Sequence, residues 1–121
     1  MRGDEVRVEA AFRAWLVEQG WDVSDTAPPH LRWLDVYARR DGEALCAECK
    51  GRSSDAGTDA DIAYGQLLRR MDLTDSSVRY AIVVPTSSER AALRVPRAVR
   101  EALRVSVYVV SGDGEVRAVD G

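Results

Sequence analysis

The sequence predicts an α/β domain in which helices flank a mixed central β-sheet. Three observations carry this reading. Asp41-Gly42 sits between two strand-like stretches, and both central residues of a type I′ hairpin turn need positive φ, which this dipeptide accepts. Apolar residues recur at helical spacing on both sides of that hairpin. Tyr80 to Val84 is an uninterrupted apolar, β-branched run ended by Pro85, the pattern of a buried central strand parallel to its neighbour.

Taken in order, Asp4 is expected to cap a helix from about Glu5 to Gln19, with Gly20 as its stop. Val8, Ala11, Phe12, Trp15 and Leu16 form its buried stripe. Glu9 lies at the margin of that stripe and, on spacing alone, reads as a solvated helix charge. Trp21 to Ser24 is a short strand, and Thr26 to Pro29 is a connection because Pro-Pro excludes helix and ladder pairing. His30, the only histidine, reads as structural or exposed. Leu31 to Gly51 is expected to be two strands joined by the tight turn. Gly51 to Thr58, rich in Gly, Ser and Asp, is a loop lying close to the end of the hairpin.

Thr58 or Asp59 is expected to cap a second helix running to about Met71, with Ala60, Ala63, Tyr64, Leu67, Leu68 and Met71 on its apolar face. Gln66, Arg69 and Arg70 lie to the side of that face. Beyond the Tyr80–Val84 strand, Ser87 to Arg104 reads as helical, broken or restarted at Pro96, which suits a first helical position. Arg90, Arg94, Arg97, Arg100 and Arg104 give this segment a basic surface: a solvated outer face by first reading, a phosphate-tracking patch by second. Strands at Val105–Val110 and Glu115–Val119, joined at Gly112-Asp113-Gly114, close the order α, β-hairpin or meander, α, β, α, β, β.

A length of 121 residues, 45% apolar and 31% charged, fits one domain over 1–121 with one core. No apolar run is long enough to span a membrane and no signal-peptide region opens the chain, so a cytoplasmic protein is expected. A net charge of −3 argues against nucleic-acid binding over the whole surface and leaves room for a local basic face. There are sixteen Arg and one Lys, Lys50. Lys is a compact point charge with a readily shifted pKa, so the lone exception hints at a position that needs an amine. Cys46 and Cys49 form CxxC, but residues three apart in a strand point to opposite faces, so both read as small buried residues and not as a zinc or redox pair.

The hairpin register then becomes chemical. With Asp41-Gly42 as the loop, Tyr37 faces Cys46, Asp35 faces Glu48, and Lys50 shares their side of the sheet. Like charges set opposite each other destabilise a sheet. The simplest resolution is a divalent cation such as Mg²⁺, which takes carboxylate oxygens, waters and substrate phosphates. The competing reading is a surface salt-bridge cluster, which contributes little stability.

These residues resemble the PD-(D/E)xK nuclease superfamily, the restriction-endonuclease-like fold, over nearly the whole chain and in the order α-βββ-α-β-α-β-β. Asp35 matches the family's first acid and Glu48-Cys49-Lys50 its (D/E)xK. Glu9 matches the acid that many members carry on the first helix, and its spacing to Gly20 is similar to that in archaeal Holliday-junction resolvases. Gln66 looks like the Gln often found on the helix after the motif; Leu34 stands where the family's name has Pro. The resemblance implies a metal-dependent DNA endonuclease hydrolysing phosphodiester bonds, in a resolvase-like, defence or repair setting. It implies Mg²⁺ or Mn²⁺ held by Asp35, Glu48 and the backbone carbonyl of Cys49, with Lys50 positioning water or stabilising charge on phosphate. Glu9 would serve the same metal site or a second metal, and Gln66 would orient Lys50 or the substrate backbone. Arg52, Arg69 and Arg70 are near enough in sequence to contact phosphates. A homodimer would enlarge the DNA surface. The alternative is a non-catalytic module that keeps this fold and binds nucleic acid or a protein partner.

Overall fold

In the computed structural model, which describes residues 2–31 and 33–119, the first helix, α1, runs Arg2–Glu18, and Gly20 follows it at φ 88. Asp4 lies inside the first turn and is not the cap. Its carboxylate accepts a hydrogen bond from the Arg52 N–H instead, a tertiary contact that local sequence could not foresee. Val8, Phe12 and Leu16 are fully buried, with Ala11 and Trp15 half-buried beside them. Burial of each large side chain of this kind contributes roughly 1.5–3 kcal/mol.

Six strands form one sheet in sequence order: β1 (Asp22–Ser24), β2 (Val36–Arg40), β3 (Glu43–Cys49), β4 (Val78–Pro85), β5 (Val105–Val110) and β6 (Val116–Val119). The centre, β3-β4-β5, is parallel; β1-β2-β3 is an antiparallel meander, and β6 returns antiparallel to β5. The β2–β3 turn has Asp41 at φ 52 and Gly42 at φ 79, and the pairings Arg40–Glu43 and Tyr37–Cys46 are those expected.

The strand expected to open at Leu31 begins only at Val36. Pro29–Leu31 is a 3-10 turn, Leu34 N donates to Leu31 O, and Arg32 lies outside the described residues. Two consecutive prolines favour a turn over a ladder at this point. The second helix, α2, spans Ala56–Leu68, earlier than expected at both ends. Its cap is Asp55, which accepts from Thr58 N at 3.0 Å and from the Thr58 hydroxyl at 2.8 Å; Thr58 is the cap's partner, not the cap.

The segment after β4 departs most from its helical reading. It is a 3-10 turn, Thr86–Ser88, and two short helices, α3 (Glu89–Ala92) and α4 (Arg97–Ala102). Pro96 is the N-cap of α4, extended at ψ 151, and not its first helical residue. The expected basic surface forms only in part: Arg90, Arg94 and Arg97 are exposed, whereas Arg100 and Arg104 turn inward. Arg100 is only 4% exposed and donates to Val95 O at 3.0 Å. Arg104, at φ 58, donates to Asp75 O at 2.9 Å and Val78 O at 3.1 Å. Arg94 reaches Gly57 O and Asp61, and Arg97 pairs with Glu101. A broken helix has no single face, so its arginines turn to whichever carbonyls the loops leave unpaired.

The sheet has a core on each side. Cys46, Tyr80 and Ile82 pack with Tyr64 and Leu67 of α2; Val36, Leu45, Cys49 and Val83 pack under α1. Cys46 and Cys49 therefore fall in different clusters, buried and unpaired, as strand alternation requires. Among the described residues no helix is long and apolar enough to cross a membrane.

Candidate functional site

Ligand sites of open α/β sheets lie beyond the carboxyl ends of the parallel strands. Here that end is Cys49 of β3 and Pro85 of β4. Because β2 runs antiparallel to β3, the residue just before β2, Asp35, lies beside the end of β3. Glu48 shares the side of Cys46, under α2, and is 3% exposed. The chain leaves β3 through Lys50, whose N–H donates to Val83 O at 2.9 Å. It then passes directly against α1. A Cβ on Gly51 would lie 2.3 Å from Glu5 N and 2.7 Å from Asp4 C, so only glycine fits. The Asp4–Arg52 hydrogen bond fastens the same crossing.

Backbone pairing of β2 ends with Asp35 N donating to Ala47 O at 3.1 Å. One Asp35 oxygen, Oδ2, then accepts Cys49 N–H at 2.8 Å, standing in for the strand that has ended. The carboxyl group thus projects along the end of β3 toward Glu48. Burial pushes the Asp35 pKa above the usual carboxylate range; the Cys49 N–H opposes this and the charge of Glu5 adds to it. Glu48 is pushed up to about 8, first by burial and then by the Asp35 charge, against the opposing pull of Lys50. The Asp35 charge therefore favours the protonated form of Glu48. Burial and the surrounding carboxylates also raise the Cys49 thiol, which makes it inert as a nucleophile.

Below α2, Glu48, Gln66, Arg69, Arg70, Trp33 and Leu34 line a narrow cleft of about 60 Å³. The Gln66 side-chain oxygen is buried there without a hydrogen-bond partner. Among the described residues, the Lys50 ammonium and the Arg69 and Arg70 guanidinium groups form no ion pair within 4 Å.

The remaining residues singled out in the sequence stand apart from that cleft. Glu9 is held by Arg13 at 3.0 Å on the α1 side. Arg13 also donates to the Asp35 carbonyl at 2.6 Å, fixing the backbone that carries the carboxylate. Arg52 lines a different groove with Arg7, Pro85, Thr86 and Ser87. Three contributors went unread in the sequence. Glu5, one helical turn before Glu9 and on the same face, is the helix acid whose charge acts on both Asp35 and Glu48. That spacing was a usable signal. Arg13 had none, because its partner is a backbone carbonyl far along the chain. Trp33 was readable only as an aromatic shortly before the acid.

The donor set is one of hard oxygens. Two carboxyls are pressed together in a largely buried place, and the thiols nearby are protonated and turned into the cores. No group of three or more His, Cys, Asp or Glu is arranged to hold a metal among the described residues. That excludes a closed all-side-chain cage of the zinc type. It leaves the donor count at which Mg²⁺ binds: one or two carboxylates, with water and substrate phosphate completing the shell. The residues present fit that ion.

No family model matches the chain, and no curated protein matches it. Two solved structures share its architecture. One is an XisH family protein from Nostoc punctiforme PCC 73102, 16% identical with a TM-score of 0.65, the alignment covering 93% of this chain and 98% of that one. The other is an fdxN element excision controlling factor protein from Anabaena variabilis, 17% identical with the same TM-score and the same coverage. At these identities the likeness establishes the fold and assigns no activity.

Proposed function

We propose that this chain is a PD-(D/E)xK-type DNA endonuclease that hydrolyses phosphodiester bonds with Mg²⁺ or Mn²⁺. The observation that carries this reading is the Asp35–Glu48 pair, a half-buried and a buried carboxyl set against each other at the carboxyl end of β3 with Lys50 directly after them. A fold does not keep such a pair for stability, since desolvation and mutual repulsion both oppose the charged form.

In this reading Asp35, Glu48 and the Cys49 carbonyl would hold the cation. When bound, the cation supplies Lewis-acid polarisation of the phosphodiester and acidification of water. Lys50 donates to the attacking water or to a non-bridging phosphate oxygen, where negative charge grows as the new P–O bond forms and the old one breaks. Gln66, with its oxygen unpaired beside Glu48, accepts a hydrogen bond that fixes the Lys50 ammonium or a water. Arg69 and Arg70 bind the substrate backbone without reading bases. Arg13 positions Asp35 through its carbonyl, and Glu5 raises the negative potential that attracts the cation.

The test is a cleavage assay with and without Mg²⁺ or Mn²⁺ on linear, supercoiled, single-stranded and four-way-junction DNA. Asp35→Ala and Lys50→Ala run beside the wild type. Metal-dependent cutting that both substitutions strongly reduce is the expected result; absence of cutting on every substrate overturns the endonuclease reading.

One observation favours a second reading. Asp35 Oδ2 already serves as hydrogen-bond acceptor for Cys49 N–H, a structural use that a non-catalytic module would also retain. One neighbour's name, an excision controlling factor, is compatible with a protein that controls without cutting. Binding of DNA with no cleavage under any metal would move the assignment to that module.

A further inference from the structure

The cleft beside Glu48 carries a feature that phosphodiester chemistry does not use. Of the three tryptophans, Trp21 is 9% exposed and lies 4.4 Å under the Arg40 guanidinium, and Trp15 packs against Phe12 and Tyr108. Trp33 is 69% exposed, with no ring or cation partner among the described residues. It sits on the turn that leads into Asp35 and lines the same cleft as Glu48, Gln66, Arg69 and Arg70. An isolated exposed aromatic is ordinarily without meaning. This one stands beside two guanidinium groups that form no ion pair among the described residues, and beside the Asp35–Glu48 carboxyl pair. A protein-docking patch would surround such a ring with apolar neighbours; here four of the other five lining residues are charged or amide side chains. Cationic groups for the backbone and a free aromatic face for a base are the two components of single-strand binding.

We propose that Trp33 is a stacking platform for an unpaired nucleobase, and that it makes this site select single-stranded or locally opened DNA over continuous duplex. The selection rests on the nuclease reading for its catalytic consequence and stands on binding alone otherwise. In a duplex the base faces are covered by their neighbours and cannot reach the ring. In a single strand one base turns onto Trp33 while its flanking phosphate meets Arg69 or Arg70, and the next phosphodiester lies toward Glu48.

Binding is measured by fluorescence anisotropy with a labelled oligo-dT strand and an equal-length duplex, in EDTA so that no cleavage intervenes. Wild type is compared with Trp33→Ala, Trp33→Phe and the double variant Arg69→Ala/Arg70→Ala. The expected pattern is a loss of about tenfold in single-strand affinity for Trp33→Ala, with duplex affinity unchanged and most single-strand affinity kept in Trp33→Phe. The double variant weakens both ligands. Equal effects of Trp33→Ala on the two ligands, no effect on either, or wild-type binding to neither overturns the platform. So does a wild-type self-association by light scattering that Trp33→Ala abolishes, which would assign the ring to a protein interface. Cutting in the cleavage assay without a Trp33 effect here would leave the nuclease reading intact and remove only this one.

Discussion

Two regions of the molecule use charge in opposite ways. From Thr86 to Arg104, four of the five arginines find partners within the chain. Arg100 is buried on Val95 O, Arg104 gathers the carbonyls of the 72–78 loop, Arg94 spans to Gly57, and Arg97 pairs with Glu101. At the end of β3 the reverse holds. The charge of Asp35 and burial raise the Glu48 carboxyl, a buried amide oxygen has no donor, and Lys50, Arg69 and Arg70 form no ion pair within 4 Å among the described residues. Buried polar groups are paired almost everywhere in folded proteins. Where one region turns most of its arginines to carbonyls and carboxylates of the chain and another leaves a buried amide oxygen and three cations without a partner among the described residues, the second set offers itself to a ligand. The number of arginines in a segment is therefore a poor guide to a nucleic-acid surface; what matters is whether the fold has already used them.

The largest effect that would sharpen this contrast is on cleavage. Asp35→Asn is expected to reduce metal-dependent cutting by about 10³-fold or more, and Lys50→Ala by about 10²-fold, with circular dichroism and melting temperature little changed in the lysine variant. Arg100→Ala is expected to do the opposite. It removes a buried donor and leaves Val95 O unpaired, costing about 2 kcal/mol by urea denaturation while the cutting rate of the folded fraction stays at the wild-type value. A large activity loss in Arg100→Ala at full folding would break the comparison.

Next in size is the packing that brings the regions into register. Gly51→Ala forces a methyl group onto the α1 backbone and is expected to cost about 1–3 kcal/mol in stability, with a fall in activity as Glu5 and Lys50 separate from the pair.

A further effect is in the pH dependence. Glu48 titrates near 8 in the fold and in the ordinary carboxylate range when unfolded. The native state thus holds more protons than the unfolded one between those values, so stability is complete at lower pH and falls as pH rises through about 8. Glu48→Gln removes that slope. It is expected to melt higher than the wild type at pH above about 8 while cutting no DNA, and saturating Mg²⁺ should offset the same loss in the wild type. A wild-type melting temperature that is flat or rising across this window would contradict the buried pair.

Much of this was legible in the sequence, and for identifiable reasons. Asp41-Gly42 fixed the turn, the turn fixed the register, and the register set Asp35 against Glu48 and sent Cys46 and Cys49 to opposite cores. Local chemistry sufficed there. It did not suffice for Asp4, whose partner is the Arg52 N–H, or for the start of β2, where Asp35 leaves the ladder to accept Cys49 N–H. Nor did helical spacing place the arginines after β4, because the helix they were mapped onto is broken at Leu93–Pro96. Glu5 was within reach: it shares a helix face with Glu9, but only the close passage of Gly51 shows that the first turn, not the second, meets the carboxyl pair.

Calorimetric titration of Mn²⁺ into the purified chain asks whether the Asp35–Glu48 pair is a cation site, without depending on the choice of DNA. Saturable binding of one to two ions is expected, lost in Asp35→Asn and in Glu48→Gln and kept in Arg100→Ala, with protons released on binding as Glu48 ionises. Absence of saturable heat in the wild type, or binding that survives both carboxylate substitutions, would contradict a cation site at that pair.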